Sequence, residues 1–118
     1  MAKILICDDN AFMRKTLSTI LKEGDHEVVG EAGDGREAIE LFEKTTPDLV
    51  IMDITMPFMD GLQALKEILF IDPKAKVIMC SALGNQKTVI EAIRFGAKDF
   101  IIKPPVPQKV LEIVGKYV

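Results

Sequence analysis

Five short apolar runs alternate with segments of helical periodicity from one end of the chain to the other, and few folds accommodate that pattern. The runs are Lys3-Ile4-Leu5-Ile6-Cys7, Val28-Val29, Leu49-Val50-Ile51-Met52, Val77-Ile78-Met79-Cys80 and Phe100-Ile101-Ile102. After the first, Phe12, Met13, Leu17, Ile20 and Leu21 recur at helical spacing, and Gly24 closes that helix. Gly33-Asp34-Gly35 opens a second helix carrying Ala38, Ile39, Leu41 and Phe42. Pro57 and Gly61 lead into a third with Leu62, Leu65, Ile68 and Leu69, which Asp72-Pro73 stops. Val89, Ile90 and Ile93 mark a fourth that Gly96 ends, and a fifth follows Pro107 with Val110, Leu111, Ile113 and Val114. The third and fourth runs are continuously apolar, which indicates strands buried on both faces. Helices between successive strands then require right-handed crossovers and a parallel sheet. The expected fold is α/β: a three-layer α/β/α sandwich around a five-stranded parallel sheet.

A chain of 118 residues fits one domain, spanning 1–118, and can bury a core without disulfides or a structural metal. Its net charge of -3, with no run of basic residues, argues against a nucleic-acid surface. No secretory signal or membrane-length apolar stretch is visible, so a soluble, cytoplasmic protein is expected. Cys7 and Cys80 read as buried free thiols, and no zinc ligand set surrounds the lone His26. His26 itself reads as part of a solvated turn, Gly24-Asp25-His26-Glu27.

Four of the runs end in chemically capable side chains: Asp8-Asp9, Asp53, Ser81 and Lys103-Pro104. In an open parallel α/β sheet, ligands bind outside the carboxyl ends of the strands. Two adjacent acids there repel each other and gain nothing from burial. A helix cap is the plain alternative, but Asn10 supplies one unaided and leaves the doubled acid unexplained. A Mg²⁺ site explains it, because hard divalent ions take carboxylate oxygens and keep several waters. Asp53 either begins a turn or acts as a nucleophile that forms an acyl phosphate. Phosphoryl transfer asks mainly for positioning and charge neutralisation, which Lys103 and Ser81 would supply beside a cation. Singly, an exposed lysine before proline and a serine capping a turn are ordinary; their shared rim gives them weight.

The segments DDNAFMRK, MDITMPFMDG, MCSALGNQ and GAKDFIIKP resemble the receiver domain of two-component response regulators, over essentially the whole chain. The likeness is strongest to stand-alone chemotaxis members of that family. It implies the flavodoxin-like strand order 2-1-3-4-5. It further implies that Asp53 accepts a phosphoryl group from a phosphohistidine on a sensor histidine kinase (CheA-like). Asp9 and Asp53 would ligate Mg²⁺ directly with the backbone carbonyl of Thr55, and Asp8 would act through water. Lys103 would pair with one phosphoryl oxygen and Ser81 would move to another. Phe100 matches an aromatic switch position, against the plain alternative of core packing; lacking a hydroxyl, it would switch by packing alone. The Lys103-Pro104 bond is expected to be cis.

The resemblance also implies partners and departures. A flagellar motor switch or adaptor protein would read the fourth helix, last strand and last helix, with a phosphatase as a further partner. Neither a membrane nor a nucleic acid is expected to bind, the chain would be a monomer, and it would be a phosphoacceptor rather than an enzyme. Phe58 stands where relatives often carry an acid, Pro105 doubles the proline before the last helix, and Leu83 is apolar where family members tune water access. Leu83 would therefore slow hydrolysis of the acyl phosphate. Two other functions compete: a single-domain phosphorelay intermediate or phosphate sink, and, remotely, a small phosphohydrolase. A phosphatase of the haloacid dehalogenase type needs Asp-x-Asp after the first strand, whereas Asp8-Asp9-Asn10 stands there. Flavin or nucleotide binding would need a glycine-rich phosphate loop that the chain lacks.

Overall fold

The computed structural model describes residues 1–118. Its elements in chain order are β1 (Lys3–Cys7), α1 (Ala11–Glu23), β2 (Glu27–Ala32), α2 (Gly35–Thr45) and β3 (Leu49–Asp53). They continue with α3 (Gly61–Ile71), β4 (Val77–Ser81), α4 (Gln86–Phe95), β5 (Asp99–Ile102) and α5 (Pro107–Gly115). All strand pairs are parallel, and the sheet runs β2-β1-β3-β4-β5. This is the expected flavodoxin-like order. β3 and β4 are buried at every residue, as their continuous apolarity requires.

Alternate strand residues face opposite sides of the sheet, so each side has its own apolar layer. Leu5, Val50, Met52, Val77 and Met79 pack with Ala38 and Phe42 of α2, Leu65 and Ile68 of α3, and Val89 and Ala92 of α4. Ile4, Ile6, Leu49, Ile51, Ile78 and Ile101 pack on the other side against Leu17, Ile20 and Leu21 of α1, and Val110 and Val114 of α5. Burial of these side chains supplies the main force holding the three layers together.

Local chemistry sets the helix starts. Asn10, Asp34 and Asp60 each turn a side-chain oxygen to an amide of the first helical turn, with N···O distances of 3.0, 2.9 and 2.9 Å. Gly96, at φ 127°, ends α4 in a backbone conformation that favours glycine.

Two sequence expectations, the extent of β2 and the setting of His26, need correction, and two helices expose part of their apolar stripe. β2 is longer than Val28-Val29 and takes in Glu27, Gly30 and Glu31, because an edge strand can carry acids on its open side. Phe12 keeps helical spacing yet is 76% exposed in the first turn of α1, whose buried residues begin at Leu17. Ile90 and Ile93 are also exposed; only Val89 and Ala92 of α4 reach the core. His26 is half-buried rather than solvated, and its Nδ1 accepts the amide hydrogen of Ala2 at 3.1 Å.

Candidate phosphoryl-transfer and metal site

Strand parity gathers the site. Asp8 lies one residue beyond β1 in step with Ile4 and Ile6, and Asp53 ends β3 in step with Leu49 and Ile51. Lys103 follows β5 in step with Ile101, so all three belong to the α1/α5 side. Its long stem crosses the end of β4, the strand between β3 and β5. There its Nζ lies 2.9 Å from Asp8 Oδ2 and 3.2 Å from Asp53 Oδ1. One carboxylate oxygen from each of Asp8, Asp9 and Asp53 lies within 4.8 Å of the others. The structure thus brings together four of the residues singled out from the sequence.

The turn after Asp53 is held close beneath it. The Gly61 amide donates to the Ile54 carbonyl at 2.8 Å, and a Cβ at Gly61 would collide with the Asp53 carbonyl. Only glycine permits that approach. Thr55 lies exposed in this turn, and its carbonyl accepts no backbone hydrogen bond there. That carbonyl is available as a ligand. The Lys103-Pro104 peptide is cis.

Charge is poorly compensated at this rim. Asp53 is 5% exposed, and burial pushes its pKa up from 3.8 to about 6. The neighbouring Asp8 charge adds to the rise, and Lys103 opposes it. Burial works against the Lys103 ammonium, yet its contacts with Asp8 and Asp53 outweigh that and raise its pKa. Asp8 is 1% exposed; its Oδ1 accepts the Asn10 amide at 2.9 Å, while its Oδ2 has the lysine contact but no well-directed hydrogen bond. Three hard oxygen donors with one counter-charge and an unsatisfied buried oxygen fit a divalent cation of the magnesium type.

Ser81 and Phe100 belong to the opposite side of the sheet. Ser81 is in step with Val77 and Met79, and its hydroxyl donates to the Ala82 carbonyl at 2.9 Å. That hydroxyl bonds neither to the carboxylates nor to the Lys103 ammonium, although the Ser81 carbonyl accepts the Lys103 amide at 2.8 Å. With Ala82, Leu83, Val89, Phe100 and Ile102, Ser81 lines an apolar cavity of about 180 Å³. Phe100 is 40% exposed, which overturns ordinary core packing for this side chain. Phe58 is 83% exposed, at φ 66°, and borders a cleft with Asp34, Arg36, Glu37 and Glu40. Leu83 is exposed beside the Ser81 cavity. Both cysteines are free and buried, and burial raises both thiols, Cys80 to about 12, so neither ionises near neutrality.

Sequence reasoning passed over Arg14, whose Nη1 donates to the Asp8 carbonyl at 2.6 Å. An arginine on an amphipathic helix reads as solvated, and nothing local marks it otherwise.

Residues 4–115 match the family described as the response regulator receiver domain. The chain is 55% identical over 114 residues to the chemotaxis protein CheY of Thermotoga maritima, covering 97% of this chain and 95% of that protein. The CheY of Bacillus subtilis gives the same identity and the same coverage. Among solved structures, the CheX-CheY-BeF3-Mg²⁺ complex of Borrelia burgdorferi superposes with a TM-score of 0.92 at 39% identity, covering 98% of this chain and 89% of that one. The chain belongs to the response regulator receiver domain family.

Proposed function

We propose that Asp53 accepts a phosphoryl group from a phosphohistidine on a sensor histidine kinase, and that residues 1–118 act as one receiver unit. The observation that carries this reading is the convergence of Asp8, Asp9 and Asp53 within 4.8 Å, with Lys103 against two of them. Asp9, Asp53 and the Thr55 carbonyl would hold Mg²⁺ directly, with Asp8 acting through water. When bound, the ion neutralises charge on the phosphoryl oxygens. An Asp53 carboxylate oxygen forms its bond to phosphorus as the phosphorus–nitrogen bond of the donor breaks, and the departing imidazole takes a proton from water. Lys103 steadies a phosphoryl oxygen with its ammonium and is itself unchanged, while Asp53 carries the group as an acyl phosphate until water releases it. Ser81 turns its hydroxyl from the Ala82 carbonyl toward the phosphoryl group, and Phe100 moves into the cavity they share.

The protein is an acceptor that small donors such as acetyl phosphate can load, rather than an enzyme with a separate substrate. Output to a flagellar motor switch or adaptor is favoured over a pure phosphate sink by the exposed Ile90, Phe100, Ile102 and Val106 along α4, β5 and the start of α5. Exposed apolar side chains grouped in this way mark interaction surfaces. A phosphatase that removes the phosphoryl group completes the partner set.

Incubation with acetyl phosphate and Mg²⁺ followed by mass spectrometry tests the acceptor step. Wild type gains one phosphoryl group and Asp53→Asn gains none; equal labelling of both would overturn the assignment. Capture of motor-switch protein with and without phosphodonor tests the output, and capture indifferent to the donor would favour the sink.

A further inference from the structure

We propose that Arg14 is a positioning residue for the metal-binding turn, setting the direction of Asp9 through the Asp8 carbonyl; this rests on the Mg²⁺ reading of the acid cluster. Asp9 differs from its two companions in how it is held. Lys103 contacts Asp8 and Asp53, and Asp8 also accepts the Asn10 amide. Asp9 is exposed, and its carboxylate makes no hydrogen bond or ion pair. Its place in the cluster therefore comes from the backbone.

The Asp8 carbonyl and the Asp9 amide share one planar peptide group. Fixing the carbonyl direction fixes that plane, and with it the bond from which the Asp9 side chain departs. The preceding peptide plane is held by the Asp8 amide, which donates to the Ala32 carbonyl of β2 at 2.9 Å. The Asp8–Asp9 plane itself is held by its carbonyl, which receives Arg14 Nη1 at 2.6 Å. That second bond is charge-assisted and short, hence among the stronger kind.

Arg14 is itself fixed. It lies one turn into α1, with its amide donating to the Asn10 carbonyl at 3.1 Å. Its Nε donates to Glu31 Oε1 at 3.1 Å, so one planar fork joins the edge strand β2 to the end of β1. A lysine could not hold both directions with a single ammonium. Glu31 also offsets the guanidinium charge, which would otherwise oppose a cation nearby. The arrangement supplies direction to the ligand set with little net charge. Groups that orient metal ligands without touching the ion commonly change affinity by about 10–100-fold when removed.

The test uses the full chain with Arg14→Met, which keeps the apolar stem and removes the donors, and Glu31→Gln. Mg²⁺ affinity is measured calorimetrically, the backbone order of Asp9 by NMR relaxation in metal-free protein, and stability by urea unfolding. Arg14→Met should bind Mg²⁺ about tenfold more weakly and lower the Asp9 order parameter. Glu31→Gln should weaken binding severalfold while its urea midpoint stays at the wild-type value. Wild-type Mg²⁺ affinity in Arg14→Met, with only the urea midpoint lowered, would reduce Arg14 to a clamp between α1 and β2 and overturn the proposal. If Arg14→Met does not fold, unchanged affinity in Glu31→Gln overturns it. Should wild type itself bind no Mg²⁺, the reading of the acid cluster fails and the proposal fails with it.

Discussion

Asp53 is buried beside two other acids, and Lys103 offsets only part of the repulsion they create. Its folded pKa of about 6 lies above the unfolded value of 3.8, so between these the folded chain holds a proton that the unfolded chain has lost. Metal-free protein should accordingly lose stability as pH rises through that window, the reverse of the usual carboxylate effect. Urea midpoints measured from pH 4 to pH 7 should fall for wild type and flatten for Asp53→Asn; parallel curves would remove this account. Added Mg²⁺ should restore stability at the upper end of the range. Leu83 belongs to the same scale. With no polar atom to orient an attacking water, it should leave the acyl phosphate long-lived, and Leu83→Glu should speed phosphate release. Equal release rates from the two proteins would count against that role. Asp8, Asp53 and Lys103 were legible in the sequence because each directly follows an apolar run, and Asp9 because it doubles the acid there. Arg14 was not, because its partner is a carbonyl that only the folded chain brings within reach.

At the scale of elements, local signals and long-range packing divide the information. The Asn10 cap could be read by position and Asp34 stood in a turn that opens a helix, whereas Asp60 carried no signal apart from its place before Gly61; all five helices begin near a polar or proline residue. Asp34→Ala should cost about 1 kcal/mol, the usual worth of such a cap. Urea unfolding checks this, and an unchanged midpoint would show that the Gly35 amide bonded to the Met59 carbonyl at 2.9 Å holds the helix start alone. The extent of β2 was less legible. Acids and a glycine argue against a strand until pairing with β1 on one side, and an open edge on the other, make them tolerable. Periodicity placed Ile90 and Ile93 on a helix correctly but could not say that α4 leaves them uncovered. Helical spacing reports an apolar stripe, not what covers it.

For the molecule as a whole, the sheet separates two apolar layers that share no side chains. Ile68→Val in α3 and Ile20→Val in α1 should each cost about 0.5–1.5 kcal/mol. Their double variant should match the sum within about 0.5 kcal/mol, as distant sites do. A clear excess in the double variant, measured by urea unfolding, would mean that strain passes through the sheet. No helix is long and apolar enough to cross a membrane. The strand order came from the family likeness rather than from spacing, since an alternating pattern of strands and helices admits several orders.

The same division gives the acid cluster and the Ser81–Phe100 cavity different addresses: the carboxylates project on the α1/α5 side, the cavity opens on the α4 side. The two addresses are not isolated: the Lys103 amide donates to the Ser81 carbonyl at 2.8 Å, a direct backbone link between them. A substitution that reshapes the cavity around Phe100 should therefore leave the spacing of the carboxylates unchanged, while one that shifts the end of β4 should be felt on both faces.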